Sequence, residues 1–195
     1  YLRAFIRGCW SRCKEGRSQR FRACHARLHR NMSDTKYAAF ISYSHTDRRW
    51  ARWLHRAIET YRLPAALRRE LEARAPGRSL PARVFLDREE LSSGSNLADS
   101  VRTALLQSET LIVICSPAAA RSRWVDQEIR EFKILGRADR ILCLILAGEP
   151  NAVARNFAAG LECFPPSLRF EIQNGELTAT PAAEPLAADV RSGAD

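Results

Sequence analysis

Short apolar runs and amphipathic stretches alternate along this chain. Tyr37-Ala38-Ala39-Phe40-Ile41-Ser42-Tyr43 reads as a first strand, closed by the polar Ser44-His45-Thr46-Asp47. Asp47 is placed to N-cap a helix in which Trp50, Trp53, Leu54, Ala57, Ile58 and Tyr61 share one stripe, predicted to face inward. Arg49, Arg52, His55, Arg56 and Glu59 fall opposite, so His55 is expected on the surface without chemistry. Residues 63–81, rich in Pro, Gly and Arg, read as a connector with a short helix over 65–73. Ala82-Arg83-Val84-Phe85-Leu86 predicts a second strand and the polar residues 87–95 a loop. Asn96 with Asp99 then caps a helix that turns Leu97, Val101, Ala104 and Leu105 inward. Leu111-Ile112-Val113-Ile114-Cys115 is unbroken and β-branched, as in a strand buried on both faces.

That third strand stops at Ser116-Pro117. Ser122 offers an N-cap hydroxyl to a helix running to about Leu135, where Gly136 can end it, and Asp126 and Glu128 lie toward the positive end of its dipole. Ile141-Leu142-Cys143-Leu144-Ile145-Leu146 is a fourth strand. Beyond Gly148-Glu149-Pro150 the pattern weakens, with a short helix near 152–157 and a hairpin of 168–172 with 176–178 across Asn174-Gly175. From Pro181 onward no core pattern survives. Strands alternating with amphipathic helices predict an α/β fold: a doubly wound, mostly parallel sheet of four or five strands with helices on both faces. The expected organisation is one domain over 32–160, preceded by a basic extension over 1–31. Residues 161–195 form a hairpin and a Pro/Ala-rich tail leading toward a further domain.

The formal charge of +9 raises a nucleic-acid reading until it is located. Residues 1–31 hold nine Arg and Lys against Glu15 alone, so nearly all of the excess lies there and the predicted domain is close to neutral. A basic groove on the domain, and hence a nucleic-acid partner, is not expected. Cys9, Cys13, Cys24, His25 and His29 lie in the same segment, but their loose spacing and lack of a surrounding turn or strand pattern argue against zinc. No metal site is expected. An Arg-rich, acid-poor start also resembles an organelle transit peptide, yet position 1 is not Met. Met32 is the sole methionine, and the natural start is expected there. Cys115 and Cys143 in apolar strands and Cys163 in a loop read as packing residues in a reducing, cytoplasmic compartment. No apolar run approaches the ~20 residues that span a bilayer, so a soluble protein with no membrane partner is expected.

Trp124 and Glu128 stand four residues apart on one helix face, just past the carboxyl end of a central strand, the edge where open α/β sheets bind ligands. Alone, such a pair reads as a core aromatic and a solvated carboxylate. Three blocks change that reading: Phe40-Ile41-Ser42-Tyr43-Ser44-His45-Thr46-Asp47; Val84-Phe85-Leu86-Asp87-Arg88-Glu89-Glu90-Leu91 with Gly94; and Ser116-Pro117 through Trp124-Val125-Asp126-Gln127-Glu128. In this order, each at the carboxyl end of a predicted strand, they resemble a Toll/interleukin-1 receptor (TIR) domain of the bacterial type. The resemblance covers residues 36–150.

It implies a flavodoxin-like fold and, as in many members, cleavage of NAD between nicotinamide and ribose in bacterial signalling or defence. By matching motif, Glu128 becomes the catalytic glutamate and Trp124 the aromatic flanking nicotinamide. Tyr43, Ser44 and His45 become the first loop lining the cleft, and Phe85, Asp87 and Ser116 join the substrate-binding set. The loop after the second strand, with Arg88, Glu89, Glu90, Leu91 and Gly94, becomes a mobile assembly loop. Some animal enzymes carry Arg in the first loop, where this chain has Ser44-His45. The competing reading is a non-catalytic adaptor that uses the same surfaces for homotypic assembly with other TIR domains. No G-x-G-x-x-G follows a strand, so NAD is expected as substrate rather than as a bound cofactor.

Overall fold

The computed structural model describes residues 35–74, 83–86 and 97–191. The basic extension and the loop after the second strand, with Asp87, Arg88, Glu89, Glu90, Leu91 and Gly94, lie outside them. In chain order the elements are β1 (Tyr37–Ser42), α1 (Arg48–Glu59), α2 (Ala65–Arg74), β2 (Val84–Leu86), α3 (Leu97–Leu106) and β3 (Ser108–Cys115). There follow α4 (Pro117–Ala120), α5 (Arg123–Ile134), β4 (Ile141–Ile145), α6 (Pro166–Arg169), β5 (Phe170–Gln173), β6 (Glu176–Pro181) and β7 (Leu186–Asp189).

Five strands form one sheet in the order β2-β1-β3-β4-β7, every neighbouring pair parallel. The chain leaves β1 toward β2, crosses back to β3 and then winds outward, which is the flavodoxin-like, doubly wound order. Its switch point lies between the carboxyl ends of β1 and β3, the strands that pair Phe40 with Leu111 and Ser42 with Val113.

Because successive strand residues point to opposite faces, each central strand feeds two cores. Phe40, Leu111, Val113, Cys115, Cys143 and Ile145 pack with Leu105, Val125, Ile129 and Phe132 of α3 and α5. Ala39, Ile41, Ile112, Ile114, Leu142 and Leu144 pack with Ala51 and Leu54 of α1. Each fully buried Leu, Ile, Val or Phe contributes about 1.5–3 kcal/mol, which is why near-continuous apolar runs become the central strands.

Four sequence expectations are corrected. Residues 186–189, read as tail, are the fifth strand: Leu142 pairs with Leu186 and Ile145 with Asp189, and the Val190 amide donates to the Ile145 carbonyl at 3.0 Å. Trp50 and Trp53 do not face inward; they are 43% and 48% exposed and meet edge to face at 5.5 Å, because the sheet covers only the strip through Ala51, Leu54 and Ile58. His55 is half-buried, its Nε2 lying 2.9 Å from the Val84 carbonyl and 3.4 Å from Glu59, so it ties α1 to β2. Residues 152–157 make successive turns rather than a helix, with Asn156 at a positive φ. The predicted hairpin is present as β5 and β6, with Asn174 (φ 52°) and Gly175 (φ 82°) giving the paired positive φ values of a two-residue hairpin turn.

Candidate active site

The carboxyl ends of β1 and β3 each carry a serine, and strand alternation sends the two to opposite faces. Ser42 continues the Phe40 side of β1 toward α5. Its fully buried hydroxyl donates to Glu128 Oε2 at 2.5 Å. Ser116 follows β3 with extended backbone, continuing the Ile112 and Ile114 side toward α1. Its hydroxyl donates to Asp47 Oδ2 at 2.6 Å and accepts from the Ala119 amide at 3.1 Å, capping α4. Two carboxylates therefore flank the switch point, each held by a serine at the end of a central strand.

Glu128 reaches this edge because α5 is fixed at both ends. Ser122 caps it, accepting from the Val125 amide at 3.4 Å, and the chain leaves through Gly136 at φ 74°. Val125, Ile129 and Phe132 bury one side of α5, and Asp126 Oδ1 accepts from the Ser167 amide at 2.7 Å, fastening the helix to α6. Glu128, 8% exposed, borders that apolar side, whereas Trp124, one turn earlier, is 58% exposed. The pair thus presents an open aromatic surface above a sunken carboxylate. An ionised carboxylate there, met by a hydroxyl donor, can face positive charge that develops on a ligand.

The remaining predicted site residues divide. Ser44 and His45 stand at the mouth of the edge, His45 exposed and the Ser44 hydroxyl 3.2 Å from that of Thr46. Tyr43 is buried on the α1 face, because odd positions of β1 point away from α5. Phe85 is a core residue, stacked on Phe40, its partner in β1, at 5.3 Å and edge-on to Tyr37 at 5.2 Å. Tyr43 and Phe85 thus support the walls from within, while Glu128, Ser44, His45 and Ser116 gather at the edge. Asp87 lies outside the described residues.

Two members escaped sequence reasoning. Within the apolar run of β1, Ser42 reads as an ordinary strand residue, although a hydroxyl at an inward position after Phe40 is a detectable irregularity. Asp47 occupies the N-cap position of α1 but makes no capping bond, since its carboxylate is turned to Ser116. Burial raises the Asp47 carboxyl above the usual carboxylate range, and the Ser116 hydrogen bond partly offsets this.

Cys115, Cys143 and Cys163 are free and buried. Burial pushes the Cys163 thiol up to about 12 and the Cys115 thiol upward as well, so neither is a ready nucleophile. Among the described residues no group of three or more His, Cys, Asp or Glu side chains is arranged to hold a metal ion. No helix among them is long and apolar enough to cross a membrane.

A family model described as the TIR domain matches residues 66–164, just over half of the chain, including Ser116, Trp124 and Glu128. The NAD(+) hydrolase ApTIR of Actinoplanes sp. is 35% identical over 116 residues, which is 58% of this chain and 14% of that protein. The chain thus spans about one seventh of the length of this curated relative. A solved structure, that of the activated Roq1 resistosome directly recognizing the pathogen effector XopQ, is similar in its TIR domains. Its TM-score is 0.43 at 20% identity, covering 64% of this chain and 66% of that one. On the family match and the sheet it accompanies, this chain belongs to the TIR domain family.

Proposed function

We propose that the chain is a TIR-domain NAD+ glycohydrolase in which Glu128 is the catalytic carboxylate. The observation that carries this reading is a buried glutamate held by Ser42 at the switch point, one helical turn from the exposed Trp124. The similarity to an NAD(+) hydrolase over a stretch of 116 residues supports it.

Nicotinamide leaves a pyridinium as a neutral molecule, so no general acid is needed to protonate it. The difficulty is the oxocarbenium-like charge that grows on the ribose carbon, as in glycoside hydrolysis. An ionised carboxylate facing that carbon and its hydroxyls binds the transition state more strongly than the ground state. Trp124 offers the face on which the nicotinamide ring can rest. Water then completes hydrolysis to ADP-ribose, or an intramolecular acceptor gives a cyclic product.

An aromatic wall that is 58% exposed does not by itself exclude water from the reaction. Our reading is that a second copy completes the cleft, so that activity follows self-association in bacterial signalling or defence. Free, buried cysteines suit a cytoplasmic setting. The test is to incubate the purified full chain with NAD over a range of protein concentrations and quantify released nicotinamide. The account expects release per molecule to rise with concentration. No release from an assembled sample would instead indicate a non-catalytic adaptor.

A further inference from the structure

We propose that Ser42 is the positioning residue of this site: its buried hydroxyl aims the Glu128 carboxylate at the crevice and keeps it ionised. The inference rests on the reading of Glu128 as the reacting carboxylate, but its evidence is independent of any relative. Tyr37–Ser42 ends with its last four residues buried, and Ser42 is the polar member of that set. The side chain is 0% exposed, so its hydroxyl has no bulk water to bond, and it donates to Glu128 Oε2 at 2.5 Å across 86 residues of sequence. Nothing in the strand itself calls for a hydroxyl here, since alanine or valine would fill an inward position beside Phe40 and Val113 at no polar cost.

The physical effect follows from which form of the carboxyl the hydroxyl serves. Burial of the Glu128 side chain favours the protonated acid, whereas a donated hydrogen bond favours the anion. The same bond ties Oε2 of this helix-borne side chain to the end of β1 and so restricts how its carboxylate plane turns. Other titratable groups lie around this edge. His45 and Asp47 follow β1 and Cys115 ends β3. Asp126 lies on α5, where Glu131 faces Arg102 of α3 at 3.6 Å. All of these stay in place when Ser42 alone is changed, so a difference between Ser42 variants reports the hydroxyl.

The experiment is a carbon-13 NMR titration of the full chain carrying side-chain carboxyl-labelled glutamate, with the Glu128 signal identified by its loss in Glu128→Gln. Wild type, Ser42→Ala, Ser42→Thr and Ser42→Cys are compared without NAD, and circular dichroism checks that each is folded. Loss of a hydrogen bond to a charged group predicts that the Glu128 midpoint rises by about one to two pH units in Ser42→Ala. Ser42→Thr, which keeps the hydroxyl, should stay within about half a unit of wild type, and Ser42→Cys, a weak donor of similar size, should fall between. Should the alanine variant fail to fold, the cysteine variant decides in its place. A midpoint that is unchanged or lowered in the folded Ala or Cys variant overturns the proposal. The acidic limb of the kcat–pH profile is then measured on the same proteins. If the NMR midpoint moves and that limb does not, Ser42 acts as stated and the assignment of Glu128 to catalysis fails.

Discussion

A carboxylate only 8% exposed, on a helix side shared with Val125 and Ile129, is costly unless a donor meets it, and Ser42 supplies one. Trp124, on the same helix, stands in the opposite circumstance, with more than half of its surface in water. Most of that indole's area is outside the fold, so the fold should depend on it little. Trp124→Ala should therefore change stability by no more than about 0.5 kcal/mol while weakening NAD binding by about 1 kcal/mol, a several-fold rise in KM. Thermal melting and steady-state kinetics on one preparation check this. A fall of many degrees in Tm would show that the ring serves the core. At this scale Glu128 and Trp124 were legible as an i, i+4 pair past an apolar strand. Ser42 and Asp47 were not, because their partners are Glu128 and Ser116, 86 and 69 residues away, and no local pattern announces such contacts.

The loop after β4 is held by backbone conformation and charge together. Gly148 adopts φ +83°, and a Cβ there would lie 2.4 Å from the Leu161 carbonyl oxygen and 2.9 Å from Pro117. Gly136 at the end of α5 has φ +74°, but a Cβ there would meet nothing within 4 Å. Both positions favour glycine, yet only the first is crowded. Gly136→Ala should cost about 1 kcal/mol, the left-handed penalty alone, and Gly148→Ala at least about twice that, since a backbone oxygen must also move. Urea unfolding of the two variants measures the difference, and equal costs would contradict the contact. Glu162 reinforces the same loop, accepting from the amides of Asn151, Ala152 and Phe164 at 2.9–3.1 Å. Helix ends and strands of this kind are readable in sequence when capping residues and apolar runs are continuous, as in β3 and α5. β7 was not readable, because Leu186-Ala187-Ala188-Asp189 has weak strand propensity and is recruited by the open edge of β4.

Across the whole molecule, β7 closes the sheet, and Arg191 joins that last strand to the loop after β4. Its guanidinium donates to Asp189 through Nε at 2.9 Å, to the Gly148 carbonyl at 2.6 Å and to Glu149. The Arg191 hydrogen bonds hold the Asp189 carboxyl below its usual range, while burial partly opposes them. A carboxyl depressed in the folded state adds stability that is fully present above its unfolded value and is lost as pH falls through the folded one. Arg191→Met should therefore lower Tm at pH 7 and flatten the decline of Tm on acidification through the usual Asp range, about pH 4, and below. Melting curves of both proteins from pH 7 to 3 test this, and parallel curves would mean the contact contributes no linkage. The same global order puts the ends of β1 and β3 side by side, and with them Glu128.

The catalytic claim is tested most directly by nicotinamide release from NAD, comparing wild type with Glu128→Gln at matched folding and matched oligomeric state. Glutamine keeps an acceptor for the Ser42 hydroxyl and nearly the same volume, so the variant should fold and associate as wild type does. Only the charge opposite the developing oxocarbenium is gone. The account predicts a loss of about 10²-fold or more in turnover, equivalent to about 3 kcal/mol of transition-state stabilisation. Equal release by the two proteins would contradict it.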